Sequence, residues 1–106
     1  MAKYLFEATY TPDGLSGLKN AGAKSRVNAI EEMCSGVGGK LESFHFAFGD
    51  VDVFAICELP DDETAAAVSF TIGAAGAVGL KTVKLLSPEQ ADNAIARSVG
   101  YRPPGS

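Results

Sequence analysis

Residues 38–62 read GGKLESFHFAFGDVDVFAICELPDD, and their pattern indicates two neighbouring strands joined by a turn. Over Leu41–Phe48 the side chains alternate in character, which is the two-residue period of a strand between two different environments. Gly49-Asp50 then has the composition of a tight antiparallel turn. The apolar run Val51–Leu59 predicts a central strand that is covered on both faces. The stretch therefore predicts a β-hairpin inside a larger sheet.

The flanking sequence supplies two more strands and the helices. Helix starts are indicated by Pro-Asp-Asp at 60–62 and by the capping box Ser-Pro-Glu-Gln at 87–90, and Pro-Asp-Gly at 12–14 indicates a turn or a helix start. Apolar residues recur at helical spacing after these starts. The predicted elements around the hairpin are a strand over Tyr4–Thr11, a helical region to Val37 with an interruption at Gly22, a helix from Asp62 to the Gly73–Gly79 region, a strand over Leu80–Leu86 and a short helix to Ser98.

This order of elements predicts an α+β fold. It is the order of a ferredoxin-like βαββαβ sandwich, with a four-stranded antiparallel sheet, helices on one face and an extra C-terminal helix. A chain of 106 residues with 46% apolar content is long enough for one core. We expect a single domain over residues 1–98 and a flexible tail over residues 99–106.

The composition excludes several kinds of partner and site. The net charge is −4, the pI is near 4.8 and no run of Lys or Arg occurs, so we expect no nucleic acid and no membrane surface as partner. The N-terminus does not read as a signal peptide, which predicts a cytoplasmic protein. A single histidine, scattered carboxylates and no nucleotide fingerprint predict neither a metal nor a cofactor.

Side-chain parity divides the predicted strands into two faces. One set is apolar and is expected to pack under the helices: Phe6, Ala8, Phe44, Phe46, Phe48, Val53, Ala55, Cys57, Val83 and Leu85. The other set mixes large apolar groups with ionisable ones: Glu7, Thr9, Ser43, His45, Asp52, Phe54, Ile56, Thr82 and Lys84. Such a face is too apolar for water and too polar for a core, so we expect it to meet another subunit.

Three segments carry a family resemblance: YLFEATYT, residues 38–62 and GAVGLKTVKLLSPEQ. Together they resemble the GYD-domain family of small bacterial proteins over nearly the whole chain. The namesake motif corresponds to Gly49-Asp50-Val51-Asp52, where Val51 replaces the aromatic residue common in the family. The resemblance implies a fold related to the dimeric α+β barrels, in which two sheets face each other around a cavity. Barrel relatives that act as monooxygenases, isomerases or decarboxylases offer only a fold analogy for activity.

Three ionisable residues are candidates for chemistry. His45 is the candidate general acid or base, because imidazole titrates near neutral pH, but a lone histidine on a strand more often hydrogen-bonds across a subunit interface or lies at a solvated edge. Asp52 either helps His45 or accepts backbone N–H groups at the turn. Glu7 needs a cationic partner, and Lys84 on the neighbouring strand is the expected one; without it Glu7 becomes a candidate base.

The remaining candidates are ligand contacts. Phe54 and Ile56 would give apolar contact, and Arg26 on the first helical region either binds a carboxylate from the rim or is simply solvated. Cys34 and Cys57 are expected to be buried thiols. The polar contacts predicted on the mixed face are Glu7, Thr9, Thr82 and Lys84.

Three functions are compatible with these residues. The first is a homo-oligomer, with a dimer favoured, that binds a small, partly apolar molecule in a cavity between subunit sheets. The second is a cofactor-independent enzyme, monooxygenase-like or isomerase-like, in which His45 moves a proton. The third is an assembly or regulatory subunit without a pocket. The sequence leaves the ligand and the subunit number open.

Overall fold

The computed structural model describes all 106 residues and has the predicted ferredoxin-like α+β architecture. Its four strands form one antiparallel sheet in the order β2-β3-β1-β4. The elements are β1 (Ala2–Tyr10), α1 (Pro12–Ala21), α2 (Ala23–Gly36), β2 (Lys40–Phe46), β3 (Val53–Leu59), α3 (Asp62–Ala75), β4 (Val78–Leu85) and α4 (Pro88–Ile95).

Local capping chemistry explains where the helices begin. Asp61 Oδ1 accepts a 2.8 Å hydrogen bond from the Thr64 amide at the start of α3. Ser87 and Gln90 form the reciprocal bonds of a capping box at the start of α4. Gly22, with a φ of 93°, separates α1 from α2 in a conformation that favours glycine. The predicted helix starts and the predicted interruption are confirmed.

The hydrophobic core lies between α2, α3 and one face of the sheet, which we call the helix face. Ile30 and Cys34 of α2 and Ala65 and Val68 of α3 are buried there. The predicted thiols are confirmed as buried and free, with 3.5 Å between the sulfur atoms of Cys34 and Cys57. The sheet contributes Tyr4, Phe6, Cys57 and Leu59 to the same cluster. This layer is the predicted one-sided sandwich.

The predicted face assignment of β4 is wrong. Thr82 pairs with Phe6, and Lys84 pairs with Tyr4, so these two polar residues lie on the helix face. Val83 pairs with Leu5 on the opposite face, which we call the open face. Leu85 lies on the open face as well, by the same parity.

The physical reason for this reversal is the start of β4. Val78 is only 5% exposed and, with Leu80, packs against the core, which fixes the first half of β4 on the helix face. Regular alternation then directs Thr82 and Lys84 to the same side. Because β4 has apolar residues of both parities, its sequence alone favours neither register.

The hairpin turn is wider than predicted. Strand β2 ends at Phe46 and β3 begins at Val53, so residues 47–52 form a longer connection in place of a tight turn. The Ala47 amide donates a 2.7 Å hydrogen bond to the Asp52 carbonyl oxygen and closes it. Phe48, predicted to face the helices, lies in this connection and is fully exposed.

The molecule is extended for its length. Its radius of gyration is 16.8 Å, against about 13 Å for a compact domain of this size. Its accessible surface is 7291 Å², against about 5,600 Å² for a compact monomer of this mass. The uncovered sheet face and α4, which has no buried residue, contribute to this excess. No helix combines the length and the apolar character needed to span a membrane.

Candidate functional site

The open face is built from the residues of each strand that point away from α2 and α3. Strand pairing aligns them in rows across the sheet, because directly opposed residues share a face. One row is apolar apart from a serine, and the adjacent row is largely polar. The two rows are Ser43–Ile56–Leu5–Val83 and His45–Phe54–Glu7–Lys81, in the order β2, β3, β1, β4.

The polar row separates the two groups expected to cooperate in proton transfer. His45 and Glu7 are both cross-strand partners of Phe54, one from each side. Neighbouring strands are about 4.8 Å apart, so the backbones of His45 and Glu7 are about 10 Å apart. The Phe54 side chain occupies the position between them. The geometry therefore suits two polar contacts at opposite ends of an apolar group better than a hydrogen-bonded His–Glu pair.

The apolar part of the open face is accessible to solvent in the single chain. Phe54 is 39% exposed and Val83 is 41% exposed, while Leu5 and Ile56 on the same face are half-buried. Helix α4 begins beside one end of this face, where Ile56, Leu85 and Pro88 line a shared depression. The face is thus bordered by an element of the chain but is not covered by it.

Asp52 has a structural contact that removes it from the predicted pair with His45. Its carboxylate Oδ2 accepts a 2.9 Å hydrogen bond from the Tyr10 amide. The Asp52 amide in turn donates a 2.9 Å bond to the Ala8 carbonyl oxygen. These two bonds tie the end of the hairpin to the end of β1. Of the two roles expected for Asp52, the structure therefore shows the second, in which the carboxylate accepts a hydrogen bond from a backbone N–H group. The donor belongs to β1 and not to the turn.

Thr82 and Lys84 contact α3 on the helix face, so they cannot line a site on the open face. The Thr82 hydroxyl lies 2.6 Å from the Ser69 hydroxyl. Lys84 Nζ forms a 2.8 Å ion pair with Asp62 Oδ1. The expected pair between Glu7 and Lys84 is therefore wrong, and the cation directly opposite Glu7 in the sheet is Lys81.

A tyrosine not singled out by the sequence completes this contact. The Tyr4 hydroxyl donates a hydrogen bond to the same Asp62 oxygen, and Lys84 Nζ lies 5.9 Å from the centre of the Tyr4 ring. Burial, helped by the bond to Asp62, raises the pKa of Tyr4 to about 12. Hydrogen bonds from Lys84 and Tyr4 lower the pKa of Asp62. Tyr4 lies two residues before Phe6 in β1 and therefore points to the same face of the sheet, and this spacing could have predicted its burial.

Thr9 stays on the open face, at its rim. It pairs with Gly79 and is exposed, and its hydroxyl lies 3.4 Å from the Asp50 carbonyl oxygen. The residues that the structure keeps together on the open face are therefore Glu7, Thr9, His45, Phe54 and Ile56. Lys81, Leu5 and Val83 join them because of the corrected register of β4.

Arg26 lies on the opposite side of the sheet. It lines a small, partly enclosed space between α2, α3 and the sheet, which we call the helix-side chamber. Phe6, Phe44 and Ile72 are among the thirteen hydrophobic residues of its fourteen-residue lining, and Arg26 is the remaining one. The Arg26 Nε atom is buried and has no hydrogen-bond partner. Leaving such a donor unsatisfied costs about 1–3 kcal/mol. Arg26 is therefore neither a residue of the open face nor a fully solvated one.

No three His, Cys, Asp or Glu side chains come close enough together to hold a metal ion.

Searches of curated proteins and of solved structures found no match to this chain. A family model described as the GYD domain matches residues 4–95, which is most of the chain. The matched range runs from β1 into α4 and includes every residue of the open face from Leu5 onwards. The chain therefore belongs to the GYD domain family.

Proposed function

We propose that this GYD-domain protein works as a homo-oligomer, in the simplest case a dimer, and binds a small, partly apolar molecule between the open faces of two sheets. The observation that carries the proposal is the pair of rows on the open face. An apolar row and a polar row lie side by side on a sheet surface that no element of the chain covers.

The exposed area supports the oligomer. The accessible surface of the single chain is 7291 Å², well above the roughly 5,600 Å² of a compact monomer. A specific interface takes about 800 Å² from each partner. The excess is large enough to provide such an interface. Exposed apolar side chains on the open face, such as Phe54 and Val83, are the groups that gain most from being covered.

The spacing of the rows supports a particular kind of ligand. Leu5, Ile56 and Val83 offer apolar contact, and Phe54 separates the acidic Glu7 from the imidazole of His45. A molecule with an apolar centre and polar groups about 10 Å apart would match this arrangement. Lys81 beside Glu7 adds a cation at one end of the polar row.

Native mass spectrometry of the protein purified from its own host tests both parts of the proposal. The expected result is an integral multiple of the 11.0 kDa chain with additional mass from a retained small molecule. A monomer would overturn the proposal, because the site needs two sheets. An integral oligomer without additional mass, followed by no binding to any member of a metabolite library, would favour an assembly subunit without a pocket.

The same preparation separates binding from catalysis. A ligand returned unchanged after incubation indicates a binding protein. Conversion of the ligand that is lost in His45→Ala would indicate the cofactor-independent enzyme. Within one subunit His45 forms no hydrogen bond with Asp52, whose carboxylate accepts the Tyr10 amide, so we expect the group that orients the imidazole ring to come from the second subunit or from the ligand.

A further inference from the structure

The helix-side chamber is partly enclosed, apolar and small. Its cavity volume is about 40 Å³. A water-sized group needs roughly 10–15 Å³, so the chamber holds about three groups of that size. Its walls include Phe6, Met33, Phe44 and Ile72, which offer a guest no hydrogen bond from their side chains. A short aliphatic chain is the guest that matches this volume and these walls.

Arg26 stands where the chamber meets a second, more open depression between α1 and α2. Arg26, Tyr10 and Val78 line both spaces, so they form the boundary between them. The outer depression provides about 310 Å³ and has Ser25 and Asp13 on its wall. Asp13 belongs to the outer depression only and forms no ion pair with Arg26. The boundary therefore carries a guanidinium that no carboxylate of the chain neutralises.

The buried Nε of Arg26 is the second observation that points to a ligand. Buried polar atoms in proteins are nearly always hydrogen-bonded, and the chain supplies no acceptor to this donor. A guanidinium presents its N–H groups in a planar fork that fits the two oxygens of a carboxylate. An acceptor brought by a ligand would satisfy Nε and neutralise the charge at once.

We propose that the helix-side chamber is a second binding site, specific for a short-chain aliphatic carboxylate, with the alkyl chain inside the chamber and the carboxylate on Arg26. The site goes beyond the proposed function, because it lies under α2 and α3 while the open face lies on the other side of the sheet. A chain of about three carbons beyond the carboxyl group fills the chamber, which makes butyrate the matching probe.

The direct test follows the Arg26 side chain itself. The Nε–H group of arginine gives its own nitrogen–proton NMR signal, so a titration with butyrate reports on the atom that the proposal concerns. We expect a saturable downfield shift of the Arg26 Nε–H signal, with contacts from the butyrate methyl group to Ile72 and Met33. Butanol should bind at least tenfold more weakly, and butylamine should not bind, because neither presents a carboxylate.

Matched variants separate the site from general charge effects. Arg26→Gln should weaken butyrate binding at least tenfold, whereas Lys24→Gln, which removes a cation from an exposed position two residues earlier in α2, should leave it within twofold. The ligand series on the unmodified protein stands even if Arg26→Gln does not fold. Equal binding of butyrate, butanol and butylamine, or no shift of the Arg26 signal on saturation with butyrate, would overturn the proposal.

The two proposals can fail independently. Phe54→Asp on the open face should leave the butyrate titration of Arg26 unchanged, and Arg26→Gln should leave the subunit number unchanged. A monomeric protein that binds butyrate through Arg26 would overturn the sheet-to-sheet site alone. An oligomer whose Arg26 signal ignores butyrate would overturn the chamber site alone.

Discussion

The hydroxyl group of Tyr4 in β1 donates a 2.5 Å hydrogen bond to the carboxylate of Asp62 at the start of α3. Lys84 of β4 reaches the same carboxylate oxygen, so one acidic residue connects two strands to a helix. The Tyr4 ring is buried while Asp62 is exposed, which places the contact at the edge of the core. This polar contact joins the start of α3 to β1 and β4 on the helix face of the sheet.

The Tyr4 contact predicts a loss of stability at high pH. Its pKa is raised from the ordinary 10.0 to about 12 in the folded chain, so the folded state holds the proton more tightly than the unfolded state. The stabilisation is fully present below pH 10.0 and is lost as the pH rises through about 12. Urea unfolding across this range should show the free energy of unfolding falling more steeply in the native chain than in Tyr4→Phe. Parallel curves for the two proteins would contradict the assignment.

Truncating a buried leucine to alanine should cost far more stability than truncating an exposed one. Leu59 has no exposed surface and packs in the main core cluster, so Leu59→Ala should lower the free energy of unfolding by about 2–5 kcal/mol. Leu86 is 59% exposed, and Leu86→Ala should change it by about 0.5 kcal/mol or less. Chemical denaturation of the two variants checks the pair. Equal effects would mean that the core does not lie under α2 and α3.

Two glycines of α1 should respond in opposite directions to alanine. A β-carbon on Gly14 would overlap the backbone carbonyl oxygen of Ala77, which itself accepts the Thr11 amide. Gly14→Ala should therefore destabilise the fold. A β-carbon on Gly17 would meet only open space, and Gly17 lies inside α1. Gly17→Ala should therefore raise the free energy of unfolding by about 0.5–1 kcal/mol. Thermal unfolding of both variants measures the signs, and stabilisation by Gly14→Ala would contradict the close approach of α1 to Ala77.

Asp52 should act as a backbone clamp and not as a catalytic partner. Asp52→Ala removes the acceptor of the Tyr10 amide and should cost about 1–2 kcal/mol, with faster hydrogen exchange at that amide. Asp50→Ala, in the same connection but exposed, is the control and should leave exchange at Tyr10 unchanged. If exchange at Tyr10 is the same in both variants, the clamp is absent in solution.

The sequence was sufficient for the architecture because each element has its own local signal. The capping box at Ser87 and the Asp61 cap define helix starts without help from the rest of the chain. Strand β4 shows the limit of this reasoning. Val78 and Leu80 favour one register and Val83 and Leu85 the other, so only the pairing with β1 decides which residues reach the open face.

The candidate site was predicted only in part, for a related reason. The parity of β1, β2 and β3 correctly places Glu7, His45 and Phe54 on one face. Distances between residues on that face depend on strand order, which puts β3 between β2 and β1 and separates His45 from Glu7. The helix-side chamber is formed by side chains from several elements, so no local sequence pattern predicts it. For the same reason the sequence does not predict that Arg26 Nε has no hydrogen-bond partner.

Sedimentation equilibrium of three proteins shows whether the open face meets a second copy of the chain. The native chain should have an integral multiple of 11.0 kDa. Phe54→Asp places a charge in the middle of the open face. Because burying that charge is unfavourable, the variant should have the mass of a monomer. Phe70→Asp, a matched change at a 76% exposed position on α3, should keep the native mass. A native chain that is monomeric, or a Phe54→Asp variant that keeps the native mass, would contradict the account.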